Sequence, residues 1–200
     1  MIKAEPQPMP DMDVTPYEKV RPKIEPGMVA FFSTDTSGLK KLTPIGFVCW
    51  RIKLGQTPPH ECTHVGILDV VHSRRVLLEA TTPVVRISPL SGQLGMTQGL
   101  DGKWAEPFDG KLYIGWFKGC WGVQAVSAAW HNLLLPYDYL DLVAIGLKMP
   151  RRDVKRYICS ELVAEALKAG GVCPMPKAGT AYTPADLMRH PKLQILWRLR

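Results

Sequence analysis

The run Thr63 to Ala80 limits the fold more than any other stretch. Two β-rich segments, Thr63 to Val71 and Arg75 to Ala80, are joined by the short connection His72-Ser73-Arg74. So short a link between two such runs predicts an antiparallel hairpin, because a parallel crossover needs a dozen or more residues. Val84 to Ile87 reads as a third strand. Met28 to Phe32 reads as a buried strand after the turn at Ile24-Glu25-Pro26-Gly27, and Lys111 to Phe117 alternates like a strand. No βαβ rhythm and no internal repeat interrupts this order. The expectation is an α+β fold with an antiparallel sheet or partial barrel packed on helices.

Helical periodicity is clearest over Cys159 to Ala169. Leu162, Val163, Ala166 and Leu167 make one apolar stripe, and Gly170-Gly171 supplies the stop. Gly122 to Leu134 carries a second stripe through Val123, Val126, Ala129, Trp130 and Leu133, ending before Pro136. Thr183-Pro184 starts a third helix, with Thr183 as cap and Pro184 in the first position. Leu42 to Leu54 and Asp138 to Leu147 read as short helices, Leu193 to Leu199 as a closing strand, and Ser91 to Gly110 as a long surface loop. Residues 1–26 hold six prolines and read as an extended or disordered arm suited to docking a protein partner, leaving 27–200 as one domain.

Cys159 opens its helix, where unpaired backbone N–H groups and the positive end of the helix dipole favour thiolate over thiol. His64 lies in a strand about 95 residues earlier, held more rigidly than in a loop. Glu79 sits near the end of the partner strand, an odd place for a charge without a partner, and the short hairpin can bring it beside His64. Nucleophile, base and orienting carboxylate are the three roles a thiol hydrolase needs. Each residue has a plainer reading, as a buried small hydrophobe or a satisfied polar group; the three together point to chemistry.

The cluster His60, Cys62 and His64 on one strand face would spread over about 13 Å, too wide for a single zinc ion. No metal or other cofactor is expected. Five scattered cysteines fit no disulfide framework and suit a reducing compartment. The formal charge of +7 attracts anionic polymers or membrane surfaces, and basic residues and aromatics interleave too sparsely for specific nucleic-acid binding. Residues 133–147, the most apolar stretch, are broken by Pro136, Asp138 and Asp141 and too short to span a bilayer, and the N-terminus lacks a signal-peptide pattern. Synthesis in a cytoplasm is expected, and action elsewhere would need virion association or release by lysis in place of an ordinary secretory signal.

These segments resemble the circularly permuted, NlpC-like papain-fold hydrolases of the YiiX-like group. The resemblance runs from about Ile24 to Leu187 through Pro26 to Val29, Thr63 to Ile67, Leu77 to Ala80, Leu135 to Asp138, Tyr157 to Val163 and Tyr182 to Leu187. Histidine precedes cysteine, as the permuted group requires. The resemblance implies Cys159 as nucleophile, His64 as base, Glu79 as orienting carboxylate and Tyr137 as an oxyanion-side or substrate contact. It implies cleavage of an amide bond, first in a peptidoglycan stem peptide, or else hydrolysis or transfer at an acyl ester or thioester. A non-catalytic docking module of a larger assembly, such as a phage particle, is the alternative of a different class.

Overall fold

The computed structural model describes residues 12–33, 62–99, 101–138, 157–172 and 182–200. Six strands form one sheet: β1 (Val29–Ser33), β2 (His64–Val71), β3 (Arg74–Ala80), β4 (Val85–Pro89), β5 (Lys111–Phe117) and β6 (Leu193–Arg198). Their order is β4-β3-β2-β1-β5-β6, and every pairing is antiparallel. Among the described residues five α-helical segments accompany them: α1 (Tyr17–Val20), α2 (Leu90–Gln93), α3 (Gly122–His131), α4 (Cys159–Ala169) and α5 (Pro184–Met188). The result is a mixed α+β fold. No helix among the described residues is long and apolar enough to cross a membrane.

Strand alternation divides the core in two. Val29, Phe31, Val65, Ile67, Leu78, Ala80 and Phe117 face α3 and α4, where they meet Ala125, Ala129, Leu162, Val163 and Leu167. Ala30, Phe32, Leu68, Leu77, Leu112 and Ile114 face the other way, onto Tyr17, Val20, Ile24 and Leu90. Leu162, Val163 and Leu167 are fully buried, and each contributes roughly 2 kcal/mol of transfer free energy to docking α4 on the sheet. Thr183 caps α5 by accepting from the Asp186 N–H, as its sequence position predicts.

Residues 12–26 depart from the expected extended arm. Pro16 precedes α1 and Pro22 occupies the first turn of a 3-10 segment, Arg21–Lys23, places where a missing N–H costs nothing. Tyr17, Val20 and Ile24 are buried against the sheet, and Val14 bridges to Arg198. Residues 1–11 lie outside the described residues, as do the short helix expected over 42–54 and, apart from Asp138, the one expected over 138–147. The third helix, α3, is shorter than expected and ends at His131, with Leu134 beyond it in a left-handed conformation at φ 66°. Val123, assigned to its apolar stripe, is 73% exposed; the buried set starts at Ala125. The first turn is instead set by backbone contact, since a Cβ on Gly122 would lie 2.0 Å from the Pro26 carbonyl oxygen. The long loop also begins differently, with its first residues forming α2.

Candidate active site

His64 is the first residue of β2, paired with Phe32 of β1, and its ring rests tilted on the Phe32 ring at 5.3 Å between centroids. The β2–β3 register ends at the Ile67–Leu78 pair, and continuing it by one step brings Gly66 level with Glu79. His64 and Glu79 therefore sit diagonally on one face of a two-stranded unit, within reach of long side chains. His64 Nε2 is 2.7 Å from Glu79 Oε2. The hairpin thus fixes one ring nitrogen and leaves Nδ1 for a partner outside the sheet.

Glu79 is 3% exposed and fully engaged. Ser88 Oγ donates to Oε1 at 2.9 Å and Arg86 Nε donates to the same oxygen at 3.2 Å. Burial alone would raise the carboxyl. The hydrogen bond and charge of His64, then Ser88 and Arg86, outweigh it and hold Glu79 down to about 2. Sequence reasoning from the residues singled out neither Arg86 nor Ser88. The signal was available: on β4, Arg86 and Ser88 alternate with Val85 and Ile87, and the Glu79–Arg86 pairing places both on the carboxylate's face.

Cys159 is the first residue of α4, is 6% exposed and forms a hydrogen-bonding contact with the His64 ring. Ile158 precedes the helix in an extended conformation, and its N–H reaches Glu161 Oε2 at 3.4 Å, which fixes the entry of the chain into α4. A second tie comes from Ser160 Oγ, which donates to the Tyr182 carbonyl. As the first helical residue, Cys159 has an N–H with no acceptor inside the helix, directed out of its N-terminus. Burial pushes the His64 pKa down, but the Cys159 sulfur on one side and the Glu79 carboxylate on the other win, and the ring is held above its ordinary value. Cysteine, histidine and carboxylate are thus brought together from α4, β2 and β3.

Tyr137 reaches this neighbourhood through its backbone. It pairs in parallel with Tyr157, two residues before Cys159, with Tyr157 N–H donating to the Pro136 carbonyl at 3.2 Å and Asp138 N–H to the Tyr157 carbonyl at 3.1 Å. The Tyr137 N–H is anchored on the Pro83 carbonyl at 2.9 Å, so this segment joins the end of the β3–β4 hairpin to the start of α4. Cys62 lies in the core cluster with Cys159, and its thiol donates to the His64 carbonyl at 3.2 Å. Burial first, then the Cys159 sulfur, push the Cys62 thiol well above its ordinary value. His60, the third member of the histidine–cysteine cluster, lies outside the described residues.

No family model matches the chain, and no curated protein matches it. Among solved structures, the chain is similar to the metalloprotein YiiX from Escherichia coli O157:H7 at a TM-score of 0.57 and 16% identity, over 86% of this chain and 98% of that one. At that identity the likeness is one of fold: the chain has a YiiX-like arrangement of sheet and helices.

Proposed function

We propose that the chain is a cysteine hydrolase that cleaves an amide bond, with the stem peptide of peptidoglycan as its first substrate class. The observation that carries this reading is the imidazole of His64 held between the Cys159 sulfur and, at 2.7 Å, the Glu79 carboxylate. A lone buried thiol or a lone strand histidine needs no such chain of partners.

In this reading His64 takes the Cys159 proton and the sulfur attacks the substrate carbonyl carbon. The oxyanion is met by the Cys159 N–H at the mouth of α4, with Tyr137 on the same side. As the C–N bond breaks, His64 returns the proton to the leaving amine and a thioester remains on Cys159. Water then attacks the thioester, giving its proton to His64. The C–S bond breaks, and the thiol and a carboxylic acid are released. Glu79 holds the ring with Nδ1 toward the sulfur and stabilises the imidazolium between the two half-reactions. The permuted papain-like relation belongs to the same proposal, as does use of an ester or thioester in place of the amide.

YiiX is described as a metalloprotein. The donors described for this chain do not fit that role. Among the described residues no three His, Cys, Asp or Glu side chains are placed to share an ion, the Cys62 thiol is turned to a carbonyl, and His64 Nε2 is taken by Glu79. No step is therefore routed through a metal.

The test is digestion of purified peptidoglycan and its soluble stem peptides, with products read by mass spectrometry. New amine and carboxyl termini from the wild type, absent with Cys159→Ser, support an amidase. Fatty-acid release from lipid by the wild type alone moves the chain to the ester branch. No turnover of either class, together with a partner captured equally by Cys159→Ser, makes it a docking module.

A further inference from the structure

At the end of the β2–β3 hairpin away from His64 there is a second concavity of about 970 Å³, lined by Tyr17, Glu18, Arg21, Arg74, Arg75 and Trp104 among others. Seven strand steps separate His64 from Val71, which places this groove on the order of 20 Å from the site above. It is built by three separate segments: the 3-10 turn after α1, the hairpin turn and the long loop before β5. Two consecutive non-glycine residues make that turn in left-handed conformations, His72 at φ 45° and Ser73 at φ 64°. Glycine or asparagine would adopt them at less cost.

The strained turn aims the Ser73 carbonyl at the arginines. Arg75 Nη1 donates to it at 2.9 Å and Arg21 Nη2 at 3.3 Å. Two guanidinium groups thus converge on one neutral oxygen, with Arg74 beside them and Glu18 as the acidic member of the lining. The ion pairs found among the described residues both belong to Glu79, so none of these arginines is neutralised there. Three cations with donors to spare in a concave place repel one another until an anion enters. Forks arriving from different segments suit the several oxygens of a tetrahedral anion better than the two coplanar ones of a carboxylate. Beside them, Trp104 is 64% exposed and Met96 46%, an apolar surface for whatever carries the anion.

We propose that this groove binds a phosphate group whose carrier lays a non-polar part on Trp104. The same chemistry is offered by a free phosphorylated ligand and by a phospholipid headgroup. The site stands apart from the proposed hydrolase chemistry and from its success or failure.

The experiment titrates the full chain with inorganic pyrophosphate by calorimetry. In parallel, the chain is sedimented with phosphatidylglycerol vesicles and with phosphatidylcholine vesicles, in the presence and absence of pyrophosphate. Arg74→Gln, which alters an exposed side chain and leaves the fold intact, weakens binding on the order of tenfold, the worth of one charge-assisted hydrogen bond. Trp104→Ala leaves pyrophosphate affinity unchanged and, where vesicles bind, weakens that binding. Saturable pyrophosphate binding without vesicle binding identifies a free ligand; vesicle binding that pyrophosphate displaces identifies a headgroup. Absence of both, or binding that Arg74→Gln and Arg21→Gln leave unchanged, overturns the proposal. Alkylation of Cys159 at wild-type rate in each variant shows that the far end of the hairpin is undisturbed.

Discussion

His64 Nε2 and Glu79 Oε2 lie 2.7 Å apart between the two strands of the β2–β3 hairpin, on the face that Gly66 shares with His64. The bond is one of three on the carboxylate, the others coming from Ser88 and Arg86. Removing the carboxylate leaves a partly buried imidazole and a guanidinium without their counter-charge. The partners left behind are partly exposed, so Glu79→Ala is expected to lower unfolding free energy by about 1–3 kcal/mol. Glu79→Gln keeps the shape and one acceptor and is expected to cost less. Urea denaturation of the two variants beside the wild type measures both; equal stability of all three would contradict the pairing.

The same carboxylate sets an acid limb to stability. Its folded pKa, about 2, lies below the ordinary 4.5, so between those values the unfolded chain binds more protons than the folded one and stability rises with pH. The contribution is full above pH 4.5 and fades as pH falls toward 2, with a ceiling on the order of 3 kcal/mol. Stability measured against pH is therefore expected to converge for wild type and Glu79→Gln over that window. A constant gap down to pH 2 would assign the effect of the substitution to packing alone.

Gly66 has no room for a side chain. A Cβ there would meet Leu77 Cδ1 at 2.7 Å and, less negotiably, the Leu78 carbonyl oxygen at 2.9 Å. Gly66→Ala must part β2 from β3 where His64 and Glu79 meet, at a cost of about 1–3 kcal/mol. The distinguishing readout is the His64 ring. Its titration, followed by NMR, is expected to shift down toward the ordinary value as the Glu79 contact lengthens. An unchanged titration would show that the ring is held independently of the hairpin spacing.

Much of this arrangement is legible in the sequence, where local signals agree. Lys111–Phe117 and Cys159–Ala169 have the bounds their periodicity predicts, and the Thr183-Pro184 cap forms as read. The hairpin is legible because its two runs leave so little chain between them. Residues 12–26 are not, because proline count hides spacing: Tyr17, Val20 and Ile24 recur at helical intervals, yet Pro16 and Pro22 suggest an extended arm unless each is placed at a helix start. Val123 misleads for the opposite reason, since periodicity marks a stripe without saying where the partner surface begins. Convergence of Cys159 on His64 depends on contacts between segments about 95 residues apart in the chain. Chemistry of the side chains suggested that meeting, but no spacing rule could place it.

Whether His64 activates Cys159 is read from the alkylation rate of each cysteine, followed by mass spectrometry at pH 7. Cys62 and Cys120 are raised by burial and serve as slow internal references. Cys159 is expected to react far faster than these two in the wild type and to lose on the order of 100-fold in His64→Ala, while the reference rates stay fixed. A Cys159 rate that is as slow as Cys62, or that His64→Ala leaves unchanged, would contradict that activation.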